Sequence, residues 1–174
     1  MARRTVESLD RDGIACPAVT GAGTGTFELE RDSGVYTELQ AGSYCFMDAD
    51  YARNLDAAGH PVSTFRQSLF VLGTVMSVTR DGAAVIDVGH KGVGVDSGLP
   101  AIWNKPDMTY VSASDEHGKL TFAPLGTAAP RLGERIRLVP GHCDPTIDRY
   151  DWYVGVRKGR VECLWPVTAR GAMA

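Results

Sequence analysis

Residues 68–88 read Ser68-Leu-Phe-Val-Leu-Gly-Thr-Val-Met-Ser-Val-Thr79, then Arg80-Asp-Gly82, then Ala83-Ala-Val-Ile-Asp-Val88. The two outer runs are rich in Val, Ile, Thr and Phe, which suit a pleated and half-buried surface, and Arg80-Asp-Gly82 supplies a hairpin turn. Strands joined this tightly pair antiparallel, with a bulge or bend expected at Gly73. Downstream, the same grammar predicts strands at Thr109–Ser114, Lys119–Phe122, Arg135–Val139, Trp152–Arg157 and Arg160–Trp165. Asp115-Glu-His-Gly118 and Lys158-Gly159 turn between neighbouring pairs. Short strands at this spacing indicate an antiparallel barrel or sandwich.

Upstream the pattern differs. Arg3–Asp12 reads as an amphipathic helix with Val6 and Leu9 on one side, ended by Gly13. Ile14–Val19 reads as a buried strand, and Gly34–Leu39 as a second one. Helix, strand, loop and strand form an α/β arrangement, which gives way to β near Asp56. The fold class is therefore α+β and mainly β, with a boundary expected between residues 52 and 68 and domains of 1–55 and 56–174. No internal repeat is present.

Composition limits the function. Hydrophobic residues make up 44% of the 174 residues, enough for a real core, and the net charge is −3 with scattered Lys and Arg. Nucleic acid and anionic membrane are thus excluded as main partners. No apolar run approaches the roughly 20 residues of a membrane span, and the charged start lacks the apolar stretch of a signal peptide. Cys16, Cys45, Cys143 and Cys163 form no CxxC pair, which disfavours finger-type zinc and a disulfide framework and favours a cytoplasmic location.

Two loops have the parts of an anion cradle. Gly21-Ala-Gly-Thr-Gly25 allows backbone N–H groups to approach an oxyanion, and the hydroxyls of Thr24 or Thr26 add donors. It is neither a Walker loop nor a Rossmann fingerprint: no Lys-Ser/Thr follows, the spacing differs, and Phe27-Glu-Leu-Glu30 does not look like a helix start. A flexible surface loop is the simpler account. Ala41-Gly-Ser-Tyr44 is a second approach site with two hydroxyls, or else a strand end with a buried tyrosine. Two such loops after neighbouring strands of one sheet would converge at the strands' carboxyl ends, where α/β folds bind phosphates.

Pro140-Gly-His-Cys-Asp-Pro145 places His142 and Asp144 two residues apart. If the segment is extended, both side chains face one way and can grip one divalent ion, with Cys143 pointing elsewhere. Imidazole plus carboxylate suits Mn, Mg or Zn. The same pair also serves as a hydrogen-bonded histidine in a turn. His117 in its hairpin turn and Lys91 in Gly89-His-Lys-Gly-Val-Gly94 are weaker candidates, Lys91 being more simply solvated or dimer-facing.

Several motifs in order carry a resemblance. Val19-Thr-Gly-Ala-Gly-Thr-Gly-Thr-Phe27, Gly34-Val-Tyr-Thr-Glu-Leu-Gln-Ala-Gly-Ser-Tyr44 and Phe46-Met-Asp-Ala-Asp-Tyr51 come first. Pro140-Gly-His-Cys-Asp-Pro-Thr146, Asp151-Trp-Tyr-Val-Gly-Val-Arg157 and Trp165-Pro-Val-Thr-Ala-Arg-Gly171 follow. Together they resemble the D-threonine aldolase and D-serine dehydratase family of fold-type III pyridoxal-phosphate enzymes, over nearly the whole chain. The resemblance implies the last strands of a TIM-like, alanine-racemase-type barrel followed by the β domain. It implies that Gly23, Thr24, Gly25, Gly42, Ser43 and Tyr44 form the cup for pyridoxal 5'-phosphate, and that His142 and Asp144 hold a divalent metal. The implied reaction is retro-aldol cleavage of a 3-hydroxy-D-amino acid to glycine and an aldehyde. A homodimer is implied for the complete enzyme. Dehydratase relatives tend to carry cysteine where Asp144 stands, so the aspartate leans towards aldolases, while Cys143 next to it keeps the dehydratase alternative open.

The resemblance also exposes a gap. The family's Schiff-base lysine belongs to an early barrel strand, and no lysine precedes the glycine loop. Lys91, Lys105, Lys119 and Lys158 fall in the β part with no motif claim to the role. A complete barrel needs roughly 250 residues, so residues 1–52 can supply only its end, and Met1 reads as an internal methionine, a truncation or a mispredicted start. A piece of this kind is expected to associate, to order its β part better than its first residues, and to be inactive alone. The alternative is a non-catalytic β domain for metal binding or dimerisation with a vestigial cup. An in-frame upstream extension containing a strand with a lysine distinguishes the first from the second.

Overall fold

Hydrogen bonds of residues 46–50 decide where the chain divides. Ala49 N–H donates to Pro140 O at 2.9 Å and Asp50 N–H to Gly141 O at 3.1 Å. These tie Phe46 onward to the later part of the chain. In the computed structural model, whose described residues are 1–56, 58–123 and 129–172, the two units are accordingly Met1–Cys45 and Phe46–Ala174. The division falls ahead of the expected window of 52–68.

The first unit opens with helix α1, Ala2–Arg11. Ile14 N–H donates to Leu9 O at 2.8 Å and Gly13 N–H to Asp10 O at 3.0 Å. This Schellman ending needs the left-handed conformation that Gly13 adopts at φ 77°. The expected strand at Ile14–Val19 does not form: the segment is irregular, with Pro17 inside it and Ile14 exposed. Strand β1 is Thr20–Gly21 and strand β2 is Glu38–Leu39. Between them lies helix α2, Phe27–Glu30, where sequence reasoning saw no helix start. Phe27 N–H donates to Gly23 O at 3.0 Å, and the Thr26 hydroxyl donates to Glu30 Oε2 at 3.0 Å. The glycine loop thus winds into a single helical turn. β1 and β2 pair parallel, Thr20 with Glu38 and Gly21 with Leu39.

The second unit is built on a six-stranded antiparallel sheet. Its strands are β3 Val71–Val78, β4 Ala83–Ile86, β5 Ala101–Ile102, β6 Met108–Ala113, β7 Gly118–Phe122 and β8 Arg135–Val139. They lie in the order β5-β8-β3-β4-β7-β6, and the edge strands β5 and β6 also pack together, so the sheet nearly closes into a barrel. Alternate residues face inward, as in β7, where Gly118, Leu120 and Phe122 are buried and Lys119 and Thr121 exposed. Ala84, Leu120 and Tyr110 lie side by side across β4, β7 and β6. They join Val71, Val75, Ile86, Val88, Val93, Met108, Phe122, Ile136 and Leu138 in one core. Complete burial of a side chain such as Leu138 or Ile86 stabilises by about 1.5–3 kcal/mol. The irregularity expected at Gly73 lies further on: Gly73 pairs regularly with Ile136, and the register shifts between Val75 and Ser77.

After β8 comes helix α3, Cys143–Ile147, then a hairpin of β9 Trp152–Arg157 and β10 Arg160–Pro166. Among the described residues no helix is long and apolar enough to cross a membrane, and no disulfide links the cysteines.

Candidate functional site

Because β1 and β2 run parallel in register, the segments after them leave from the same end of the pair. Gln40 N–H donates to Gly21 O at 2.9 Å, which holds the two exits together. One exit carries Gly23, Thr24 and Gly25, and the other Gly42, Ser43 and Tyr44. Among the described residues of the first unit, Thr24 and Ser43 are the two that are buried. Thr24 Oγ1 has no hydrogen-bond partner. A buried hydroxyl left so costs about 1–3 kcal/mol, a deficit that an oxyanion removes. A Cβ placed on Gly23 or Gly42 would meet nothing within 4 Å, so the backbone is open to a ligand there. Thr26 is engaged locally, accepting from Gly23 N–H at 3.3 Å and donating to Glu30. The hydroxyl suited to a phosphate oxygen is that of Thr24. Tyr44 is 46% exposed rather than buried at a strand end. The first unit contains no lysine, all four belonging to the second.

In the second unit the segment carrying His142 and Asp144 is not extended throughout. His142 is extended at φ −142° and ψ 134°, and the chain then turns into α3, with Asp144 its second residue. Pro145 tolerates this place because first-turn N–H groups have no helical acceptor. Alternation along a strand therefore does not bring the two side chains together; the turn into the helix does. His142 Nε2 lies 3.8 Å from Asp144 Oδ2. Two donors each about 2.0–2.2 Å from one ion lie roughly 2.8–3.6 Å apart at octahedral or tetrahedral angles, so the pair stands slightly wider than a shared divalent cation would hold it and would close by roughly 0.2–1 Å around one. Cys143 is fully buried, but it does not point elsewhere as the alternation implied: its thiol donates to Asp144 Oδ1 at 3.3 Å. Among the described residues no cluster of three or more His, Cys, Asp or Glu is placed to hold a metal. An ion held by the pair would keep its other positions for water or substrate.

Sequence reasoning missed the residues that shape this turn. Asp48, fully buried, accepts from Tyr51 N–H at 2.8 Å and from Cys143 N–H at 2.8 Å. It lies in a quoted motif, yet only folding shows its reach across 95 residues. Asp96 Oδ2 lies 3.2 Å from His142 Nδ1. Gly141 allows the close approach: a Cβ there would come within 2.0 Å of Gly98 O. Burial would pull the His142 imidazole down. The hydrogen bond to Asp96, with the charges of Asp144, Asp48 and Asp96, outweighs it and holds the pKa above the ordinary value. The hydrogen bond with His142 keeps Asp96 below the usual carboxylate range.

The weaker candidates lie outside this turn. Lys91 pairs with Glu116, and His117 O accepts from Ser114 N–H at 2.9 Å in the hairpin turn. A shallow hollow of about 360 Å³ lined by His90, Lys91, Asp115 and Arg149 contains neither His142 nor Asp144. Arg149 there is engaged by the carbonyls of His90 and Pro145.

With this geometry in hand, known proteins give the chain its context. Residues 68–156, just over half of the chain, match the family described as "Putative serine dehydratase domain". The chain is 46% identical over 171 residues to the 3-hydroxy-D-aspartate aldolase of Paracoccus denitrificans (strain Pd 1222), covering 97% of this chain and 43% of that protein. The crystal structure of the D-threonine aldolase from Filomicrobium marinum superposes with a TM-score of 0.89 at 47% identity, over 99% of this chain and 47% of that one. An alanine-racemase-like protein of Idiomarina loihiensis, 20% identical, shares the fold with a TM-score of 0.67, over 87% of this chain and 43% of that one. The chain therefore spans less than half the length of these relatives. It is similar throughout to aldolases, and it belongs to the serine dehydratase domain family.

Proposed function

We propose that this chain carries the carboxy-terminal part of an aldolase dependent on pyridoxal phosphate and a divalent metal. Its substrates would be 3-hydroxy-D-amino acids such as D-threonine, cleaved to glycine and an aldehyde. The observation that carries the reading is the 3.8 Å approach of His142 Nε2 to Asp144 Oδ2 in a chain resembling aldolases throughout. On this reading the first unit is the end of the cofactor-binding barrel and the second is the β domain.

When bound, pyridoxal phosphate would supply an electron sink for charge at Cα, and Mn, Mg or Zn a Lewis acid for the β-hydroxyl. Thr24 and Ser43 would donate to phosphate oxygens, and Gly23, Gly25, Gly42 and Tyr44 would complete the cup. His142 and Asp144 would hold the ion. The Asp144 side chain is 72% exposed, which leaves room for water or a substrate hydroxyl beside it. Aspartate rather than cysteine at position 144 favours the aldolase over the dehydratase. The complete enzyme would be a cytoplasmic homodimer. The apolar β9–β10 hairpin, with Trp152, Val154, Leu164 and Trp165 exposed, supports a protein partner surface.

The chain alone lacks the barrel lysine and should be inactive. The test is manganese binding by the purified chain, with an aldehyde assay on D-threonine in the presence of the cofactor. The expected result is binding that His142→Ala or Asp144→Ala abolishes, with no aldehyde released. Unchanged binding in both variants would refute the metal assignment, and aldehyde release would refute inactivity.

A further inference from the structure

Asp96 has no role in the reading above, yet it reaches His142 across 46 residues of sequence. Its Oδ2 lies 3.2 Å from Nδ1. An ionised carboxylate accepts hydrogen bonds and cannot donate them, so the ring hydrogen belongs on Nδ1. The lone pair is then on Nε2, the nitrogen 3.8 Å from Asp144 Oδ2. We infer that Asp96 is a positioning residue: it fixes the tautomer and ring orientation of His142 so that Nε2 and Asp144 can meet one divalent cation. This rests on the metal reading of the pair.

The loop bearing Asp96 is built to keep that contact. Gly94 N–H donates to Thr146 Oγ1 at 2.9 Å, and the same hydroxyl donates to His142 O at 2.8 Å. The Arg53 guanidinium donates to Ser97 O at 3.0 Å and pairs with Asp50. Ser97 Oγ lies 3.4 Å from both Asp96 Oδ2 and His142 Nδ1. The Asp96 side chain is 54% exposed, so as a simple ion pair with His142 it adds little stability. Its leverage is orientation, the usual work of a carboxylate behind a metal-binding imidazole.

The test uses the full chain, unaltered and as Asp96→Ala, Asp96→Asn and Asp144→Ala. Two readouts are taken: manganese affinity by paramagnetic resonance titration, and the His142 tautomer by nitrogen-15 resonance of the metal-free chain at alkaline pH. The unaltered chain should show hydrogen on Nδ1. Asp96→Ala should move it towards Nε2 and weaken manganese binding by about 10–100-fold. Asp96→Asn keeps an acceptor oxygen and should lose less. Asp144→Ala should lose binding without changing the tautomer. If Asp96→Ala changes neither readout while Asp144→Ala loses the metal, the inference fails and the metal reading stands. If Asp96→Asn loses binding as completely as Asp144→Ala, Asp96 is a ligand and the positioning role is overturned. If the unaltered chain binds no manganese, both readings fall.

Discussion

The two units differ in whether they bury an apolar core. In Phe46–Ala174, twelve residues from Val71 to Leu138 close a core of mostly aliphatic side chains. In Met1–Cys45, α1 and α2 bury nothing, Ile14, Leu29 and Leu39 are exposed, and the buried residues are the hydroxyl-bearing Thr24 and Ser43. Apolar burial is the dominant favourable term in folding. The second unit therefore has its own reason to fold. The most enclosed groups of the first unit suit a ligand instead.

Substitutions can break or sharpen that contrast. Leu138→Ala removes a fully buried side chain and should cost about 2–5 kcal/mol in denaturant unfolding. Leu29→Ala, at a position 71% exposed, should change stability by less than about 0.5 kcal/mol. Comparable losses at both positions would erase the difference between the units. Thr24→Val replaces a hydroxyl that has no partner by a group of similar shape. Without ligand the variant should be as stable as the parent or more so, by about 1 kcal/mol. A clear loss would mean the hydroxyl already has a partner, and the cup assignment would weaken.

A smaller effect depends on pH. Glu134 accepts from Lys105 Nζ at 2.7 Å and from Arg131 N–H at 2.9 Å, and the Lys105 hydrogen bond is the main reason its carboxyl is held below the usual 4.5. A carboxyl with a lowered folded pKa stabilises above the unfolded value and loses that contribution as pH falls through the folded one. Glu134→Gln should therefore cost about 1 kcal/mol near neutrality and flatten the acid limb of the stability profile. An unchanged acid limb would show that this pair does not couple to folding.

Much of the β part was legible because alternation and turn residues are local signals. Arg135–Val139 and Trp152–Arg157 begin and end where the pattern places them. The two-residue strand Ala101–Ile102 was not legible, since so short a run has no period to detect. Ile14–Val19 misled because an apolar run without alternation does not distinguish a strand from an irregular segment. The parallel pairing of Thr20–Gly21 with Glu38–Leu39, which brings the glycine loops to one end of their strands, was not legible, since strand-loop-strand order leaves the direction of pairing open. Nor was the burial of Thr24. For His142 and Asp144 the spacing was informative and the assumed conformation was not. A first-turn proline after Cys143-Asp144 was the available sign of a helix. Asp96 and Asp48 stayed hidden because their contacts span 46 and 95 residues, and no local pattern encodes a pairing at such range.

The imidazole and carboxylate at the mouth of α3 are best tested by anomalous scattering at the manganese edge from crystals of this chain grown with the ion. A single strong peak about 2.0–2.2 Å from both His142 Nε2 and an Asp144 carboxylate oxygen is the expected result. No peak there, or an ion bound between His142 Nδ1 and Asp96, would contradict it.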